Sequence, residues 1–350
     1  MRCAIRYKLV VIGLFLITVA GVFGPRSAYA DKHRTLGVVT VDFSSATMLR
    51  FSEAFTARAK SYGWDVIAVG CGGDYAKGQQ IIEDFIAKGV DGIFNDMLDP
   101  NLIQPALKKA KEAGIPVVNG DAGFDEKVVT NVTSNNFVLS ARISQYLFDK
   151  MLKDGKKELL VVTWPQHHGI RKRTKVMKAV LSEYPEIKLL EEHITFIPGQ
   201  IEDSKKWMTN YLTGHPNFHG AVWCAWDEPA AGVTMAIEAA KRNDIYTIGI
   251  DGNKWTFDNY IRKKGPFIAT EAQNFEMMGL MIADIFKSIF DGTKKPTDFP
   301  RSIFVPTLLI TQDNLPPEGQ FPWLDTGPFK PEYEKLAPWP PYMSDSKDRG

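Results

Sequence analysis

Short apolar runs rich in β-branched residues alternate with longer amphipathic stretches along most of this chain, starting at Thr35. In the first half, apolar positions spaced three and four apart predict helices at 48–62, 76–88 and 103–113. The intervening runs predict strands at 36–41, 65–69, 92–95, 116–119 and near 128–132. This alternation is typical of parallel strands joined by crossover helices.

A second series of the same kind follows. It predicts strands at 158–163, 188–196, 221–224, 246–250 and 267–270, and helices at 137–152, 172–184, 204–212, 229–241, 257–263 and 275–290. The chain of 350 residues is long enough for two separate cores. We therefore predict an α/β fold of two doubly wound parallel-sheet units in tandem.

The N-terminus has the pattern of a secretory signal. Arg2, Arg6 and Lys8 precede an apolar run at 9–23, and the small residues Ala28 and Ala30 follow. The run is about 15 residues long, short of the ~20 that a spanning helix needs. We expect a signal peptide at 1–30, a mature protein that begins at Asp31, and export to the periplasm. A lipid anchor is not expected, because Cys3 precedes the apolar run.

Charge and cysteine content limit the possible partners. Removing 1–30 takes away four positive charges and changes the formal net charge from +1 to −3. A chain with that charge has no basic bias towards nucleic acid. Cys71 and Cys224 fall in different predicted units, so we expect two mostly buried thiols.

The segment 316–350 lacks periodicity and is predicted to be an irregular surface tail.

Polar and aromatic residues recur where the predicted strands end. In open parallel sheets, ligands bind at the carboxyl ends of the strands. Carboxylates accept hydroxyl hydrogen bonds, and aromatic faces cover the apolar face of a sugar ring. The residues at these ends are Asp42, Phe43, Ser44, Ser45, Asp96, Asp121, Trp164, Trp226, Asp227 and Asp251.

Each of these residues also has a purely structural interpretation. An Asp between a strand and a helix is often an N-cap that contributes about 1 kcal/mol, and Asp227 precedes Glu228 and Pro229 as a cap would. Trp164 and Trp226 could be core residues. The evidence for a site is the recurrence of such residues at several strand ends.

The order of several segments resembles that of a known family, the type I periplasmic solute-binding proteins of the ribose/galactose class, which share their fold with LacI-type repressors. The resemblance extends from about 35 to 311. The matching segments are Gly63-Trp64, Asp84-Phe-Ile-Ala-Lys-Gly-Val-Asp-Gly-Ile-Phe94, Ala113-Gly-Ile-Pro-Val-Val118, His215-Pro216, Trp226-Asp-Glu228, Ile248-Gly-Ile-Asp-Gly252 and Ala269-Thr-Glu-Ala-Gln273.

The resemblance implies a cleft between two lobes joined by three hinge crossings, at about 134–137, 272–274 and 301–303. Lobe 1 would comprise 31–136 and 274–302, and lobe 2 would comprise 137–273 and 303–315. It also implies a monomer that delivers a small polar solute to an ABC permease in the inner membrane. Trp164 is added because it follows a predicted strand. The expected ligand contacts are therefore Phe43, Ser44, Ser45, Asp96, Asp121, Trp164, Arg173, Trp226, Asp251 and Gln273.

Three positions depart from the family pattern. Sugar binders of this class commonly have Arg where this chain has Ala122, and Asn where it has Asp96 and Trp226. The expected site is therefore more acidic and more aromatic than a ribose site, which also allows a cationic or amine ligand held by Asp96, Asp121 and Asp251. A sugar or polyol is favoured, because hydroxyls need the mixed donors and acceptors that remain.

Other classes of function have less support. The chain lacks a Gly-x-Ser-x-Gly elbow, a phosphate loop and a His-Glu-x-x-His motif, so we expect neither an enzyme nor a cofactor. His167 and His168 are interpreted as a loop pair, not metal ligands. A DNA-binding regulator would need a helix-turn-helix where the export signal stands. A ligand-sensing receptor for a membrane kinase or chemoreceptor stays open.

Overall fold

Two six-stranded sheets with interleaved helices form residues 33–322, the part of the chain that this computed structural model describes. The strands are β1 (Thr35–Thr40), β2 (Asp65–Gly70), β3 (Gly92–Asp96), β4 (Val117–Gly120), β5 (Asn131–Ser134), β6 (Glu158–Thr163), β7 (Lys188–Ile194), β8 (Ala221–Cys224), β9 (Tyr246–Asp251), β10 (Phe267–Gln273), β11 (Ser302–Val305) and β12 (Thr307–Thr311). The predicted signal peptide at 1–30, and the part of the predicted tail beyond 322, lie outside the described residues.

Nine α-helices connect the strands within 33–322. They are α1 (Ala46–Ser61), α2 (Tyr75–Lys88), α3 (Gln104–Glu112), α4 (Asn136–Lys153), α5 (His168–Leu181), α6 (Gln200–Gly214), α7 (Asp227–Ala239), α8 (Lys254–Asn259) and α9 (Phe275–Phe290). None of the helices between 33 and 322 is long and apolar enough to cross a bilayer.

Both sheets have the same doubly wound order. The first sheet runs β11-β5-β4-β3-β1-β2, and all of its pairs are parallel. The second runs β12-β10-β9-β8-β6-β7, and only its edge pair, β10 with β12, is antiparallel. The predicted α/β fold class of two doubly wound units is confirmed.

The chain passes between the sheets three times: after Ser134, around Asn274 and at Pro306. The third crossing was predicted at 301–303, which is too early. Ser302–Val305 still pairs with β5 in the first sheet, and Pro306, which has no amide hydrogen, separates this strand from β12. We call the first sheet with α1–α3 and α9 lobe 1, and the second sheet with α4–α8 lobe 2. This division into lobes is our interpretation.

An aromatic cluster fixes α1 on the first sheet. The ring centroids of Phe51 and Phe55 lie 4.9 and 5.0 Å from that of Phe94 in β3. Gly120 at the end of β4 permits this close approach, since a Cβ there would lie 2.4 Å from the Phe51 ring. The packing holds the N-terminus of α1 at the carboxyl edge of the sheet, where a ligand would bind.

Several local predictions were wrong at element boundaries. Helices α5 and α6 each begin four residues earlier than predicted, because their first turns are polar and lack the apolar spacing. The strand expected near 128–132 begins at Asn131, since a turn in which Val128 donates to the Asp125 carbonyl precedes it. Strands β11 and β12 were not predicted.

Two further predictions concern the cysteines and the C-terminal tail. Cys71 and Cys224 are free and buried, as expected. The part of the predicted tail that the structure describes, 316–322, does not lie entirely on the surface. Phe321 is buried, and the Arg50 guanidinium lies 4.1 Å from the centroid of its ring.

Candidate functional site

A cavity lies between the carboxyl edges of the two sheets, with about 340 Å³ of empty space that includes open solvent at its mouth. Both lobes contribute to its wall, and the wall combines charged, hydroxyl and apolar side chains. The lining residues are Ser45, Thr47, Met48, Met97, Asp121, His167, Ile170, Arg173, Ile197, Trp226, Asp251 and Phe275.

Arg173, in the second turn of α5, connects the polar groups of the cavity. Its Nη2 lies 3.5 Å from Asp121 Oδ2 of lobe 1, and its Nη1 lies 3.6 Å from Asp251 Oδ1 of lobe 2. Nε donates to Asn136 Oδ1 at 2.7 Å, and Nη1 donates to the carbonyl of Ala225 at 2.9 Å. The guanidinium is therefore fixed between carboxyl groups of the two lobes.

Asp121 and Asp251 follow β4 and end β9, and both have positive φ, 45° and 135°. Backbone strain in non-glycine residues is concentrated at functional sites. Thr133 Oγ1 and Asn136 Nδ2 donate to Asp121 Oδ1 at 2.5 and 3.1 Å. These bonds hold the Asp121 carboxylate in place beside Arg173.

Gln273, at the end of β10, donates from Nε2 to Asp251 Oδ1 at 2.8 Å. Thr47 of lobe 1 donates from Oγ1 to Asp251 Oδ2 at 2.9 Å. Burial raises the pKa of Asp251 to about 8, although the Arg173 charge lowers it. At neutral pH Asp251 is therefore mostly protonated, and a protonated carboxyl can both donate and accept hydrogen bonds.

The raised pKa of Asp251 predicts a pH-dependent stability. The unfolded carboxyl ionises near pH 4, whereas the folded one keeps its proton until about pH 8, so the folded state binds more protons and loses stability as pH rises. We expect the wild type to lose about 1 kcal/mol between pH 7 and pH 9 relative to Asp251→Asn, which does not titrate. Denaturant unfolding of both proteins at several pH values measures this difference; a pH-independent difference would contradict it.

The other expected contacts lie at different distances from the cavity. Ser45 lines it, but Ser44 is exposed and donates to Asp42, and Phe43 packs on the backbone of Gly70. Asp96 is fully buried and is not part of the lining. Burial raises its pKa well above the usual range, and Ser52 Oγ donates to it at 3.2 Å. The structure therefore places Phe43, Ser44 and Asp96 outside the cavity wall. Gln273, which is bonded to Asp251, also lies outside the wall.

The two predicted tryptophans have different places. Trp226 lines the cavity, and Trp164 lies behind it with the ring centroids 6.4 Å apart. Trp164 also stacks on His167 with an interplanar angle of 8°. Trp226 is thus a candidate stacking face for a sugar ring, whereas Trp164 supports the wall.

Sequence reasoning missed seven lining residues: Thr47, Met48, Met97, His167, Ile170, Ile197 and Phe275. Most are apolar and sit in the first turns of helices or in loops, where their sequence context does not differ from that of core residues. Thr47 could have been found, because it follows the predicted loop 43–45 into the first turn of α1. His167 was interpreted as half of a loop pair; among residues 33–322, no cluster of His, Cys, Asp and Glu is suited to a metal.

Direct hydrogen bonds join the two lobes around the cavity. The Ala46 amide at the start of α1 donates to Glu228 Oε1 at 3.0 Å, and Asn253 Nδ2 donates to Thr47 Oγ1 at 3.2 Å. Arg171 and Asp99 form an ion pair at 2.5 Å. The two lobes are therefore in direct contact next to the cavity, as in a closed clamp.

Asp227 does not cap its own helix, so that expectation was wrong. It is the first residue of α7, and its buried carboxylate accepts hydrogen bonds from Asn253 N at 3.0 Å, Thr256 Oγ1 at 2.7 Å and Thr270 Oγ1 at 2.6 Å. These bonds fix the loop after β9 and hence the position of Asp251.

Comparison with known proteins places these features in a family. Residues 36–294 match the model of the periplasmic binding protein domain. The D-apiose import binding protein of Paraburkholderia graminis is 26% identical over 237 residues, which cover 67% of this chain and 74% of that protein. The xylitol-binding protein of Mycolicibacterium smegmatis is 26% identical over 299 residues, 83% of this chain and 81% of that protein.

Solved structures agree in fold. An ABC sugar transporter subunit from Rhodobacter sphaeroides superposes with a TM-score of 0.74 at 28% identity, covering 80% of this chain and 99% of that one. An ABC transporter solute binding protein from Agrobacterium vitis with bound allitol gives a TM-score of 0.73 at 27% identity, covering 81% of this chain and 96% of that one. The chain belongs to the periplasmic binding protein family.

Proposed function

We propose that this protein is an exported periplasmic binding protein that captures a sugar or polyol between its two lobes and delivers it to an ABC permease. The observation that carries the proposal is the cavity itself, in which Asp121, Arg173 and Asp251 converge beside Trp226, and Gln273 holds Asp251 from outside the cavity wall. Related chains named for D-apiose, xylitol and ribose support the ligand class. The family is one of binding proteins, and the proposal gives this chain no catalytic role.

The charge state of the cavity favours a neutral ligand over a cation. A cation site would need several ionised carboxylates, but Asp96 lies outside the cavity wall and burial raises the pKa of Asp251. Asp121 lies next to the Arg173 guanidinium, whose positive charge offsets its own. The remaining groups supply a mixture of donors and acceptors, which matches hydroxyls.

Binding and closure are coupled in this proposal. Asp121 and Thr47 belong to lobe 1, whereas Arg173, Trp226 and Asp251 belong to lobe 2. A ligand that contacts both sets therefore favours the closed form. The crossings after Ser134, around Asn274 and at Pro306 are the hinges. We propose that the protein acts as a monomer in the periplasm.

Thermal unfolding tests the ligand class. Residues 31–350, stripped of ligand by denaturation and refolding, are heated with D-ribose, D-apiose, xylitol, allitol, simple amines and quaternary ammonium compounds. Because a ligand that binds only the folded state stabilises it, we expect a saturable rise in Tm with a sugar or polyol. A rise with a cation alone would overturn the sugar assignment.

A further inference from the structure

His167 is a buried side chain with one polar atom left unpaired at the cavity wall. It precedes α5, and its Nδ1 accepts a hydrogen bond from the Ile170 amide at 3.3 Å. The residue is 3% exposed, and its Nε2 has no hydrogen-bond partner among the described residues. Its ring forms part of the cavity lining.

The contacts of His167 determine which nitrogen carries the proton. A neutral imidazole has one donor and one acceptor nitrogen, and Nδ1 is the acceptor because the Ile170 amide donates to it. Nε2 therefore carries the hydrogen. Burial lowers the pKa of His167 to about 4, so the ring is neutral at pH 7.

The ring is held in this orientation from two sides. Trp164 stacks on it with an interplanar angle of 8°, and the bond to the Ile170 amide ties it to the start of α5. Apolar side chains, Ile170, Ile197 and Met97, share the cavity wall with it. They offer no acceptor for the Nε2 hydrogen, and a buried donor without an acceptor is unfavourable.

We propose that His167 is a specificity-determining residue that donates a hydrogen bond from Nε2 to an oxygen of the bound sugar or polyol. The inference rests on the proposed function and refines it. Asp121, Arg173 and Asp251 hold the hydroxyls at one end of the ligand. His167 selects ligands with an oxygen acceptor at the end near Ile170 and Ile197. A ligand whose carbon skeleton matches but which lacks that oxygen is discriminated against.

The substitution His167→Asn separates the two functions of the side chain. Asn is a good N-cap, so its side-chain oxygen can still accept from the first turn of α5, but it is too short to replace the Nε2 donor. His168→Asn is the matched control, because the neighbouring His168 is not part of the cavity lining. Calorimetric titration of all three proteins with D-ribose, D-apiose, xylitol and allitol gives the dissociation constants.

We expect His167→Asn to weaken binding of the sugar or polyol about 10-fold, and His168→Asn to weaken it less than 2-fold. Equal affinities in the wild type and His167→Asn would overturn the role of His167 and leave the proposed function standing. A wild type that binds none of the four compounds would overturn the proposed function, and this inference with it.

A measurement on the wild type keeps the test independent of the folding of the variant. In ¹⁵N-labelled protein, the proposal predicts that the Nε2 hydrogen of His167 shifts downfield and becomes protected from exchange when the sugar binds. A resonance that is unchanged at saturating sugar would overturn the proposal.

Discussion

We expect Arg173→Ala to weaken sugar binding by about 2 to 4 kcal/mol, or 30- to 1,000-fold, the largest loss of any single substitution in the cavity. Arg173 lies within 3.6 Å of carboxylates from both lobes, and its own side chain is almost completely buried. Its removal takes away the positive charge beside the Asp121 carboxylate and a donor group beside Asp251. Closure around a ligand would then bury the Asp121 carboxylate without a cationic partner.

The matched control is Lys175→Ala, which removes an exposed positive charge from the same helix. Calorimetric titration with the sugar that raises the Tm of the wild type measures both affinities. We expect Lys175→Ala to bind within 2-fold of the wild type. An Arg173→Ala protein with wild-type affinity would show that the Arg173 cluster does not form the ligand site.

The second large effect is expected from Gly73→Ala, in the loop between β2 and α2. A Cβ at Gly73 would lie 2.2 Å from the carbonyl oxygen of Ile197, which belongs to the other lobe. The backbone carbonyl cannot rotate away as a flexible side chain could, so the added methyl group hinders closure but not the open form. We expect a loss of ligand affinity of about 2 kcal/mol, roughly 30-fold.

Gly72→Ala is an unusually close control for this substitution. Gly72 and Gly73 have similar positive φ values, 66° and 79°, so alanine is strained at both positions, but a Cβ at Gly72 would meet nothing within 4 Å. Both variants should lose similar stability without ligand, whereas only Gly73→Ala should lose affinity. Equal affinities in the two variants would contradict the interlobe contact.

Much of the fold could be predicted from the sequence, because each helix that packs on a sheet repeats its apolar residues with a helical period. The bounds of β6, β8 and α9 agree with the prediction residue for residue. The predictions of helix and strand bounds were wrong where those bounds are not set by the spacing of apolar residues. Helix α5 begins with a histidine cap and polar residues, and β11 is a short strand whose place depends on pairing with β5 far away in the chain.

Residues of the candidate site were predictable where they follow from sheet topology or from the family resemblance. Asp121, Trp226 and Asp251 were found because strands end there, and Arg173 and Gln273 through the family resemblance. Whether a residue at a strand end lines the cavity or lies behind its wall could not be predicted from the sequence. Asp96 ends β3 as Asp251 ends β9, yet Asp96 lies behind the wall, bonded to Ser52 of α1. The contribution of Ile197 depends on how the two lobes meet, which no local pattern encodes.

Small-angle X-ray scattering of the stripped protein, before and after addition of a saturating sugar, tests most directly whether this chain is a clamp that closes on a sugar. We expect a decrease in the radius of gyration that saturates with the same dissociation constant as the calorimetric titration, and no decrease with a quaternary ammonium compound. Saturable sugar binding with an unchanged radius of gyration, or contraction only with the cation, would contradict it.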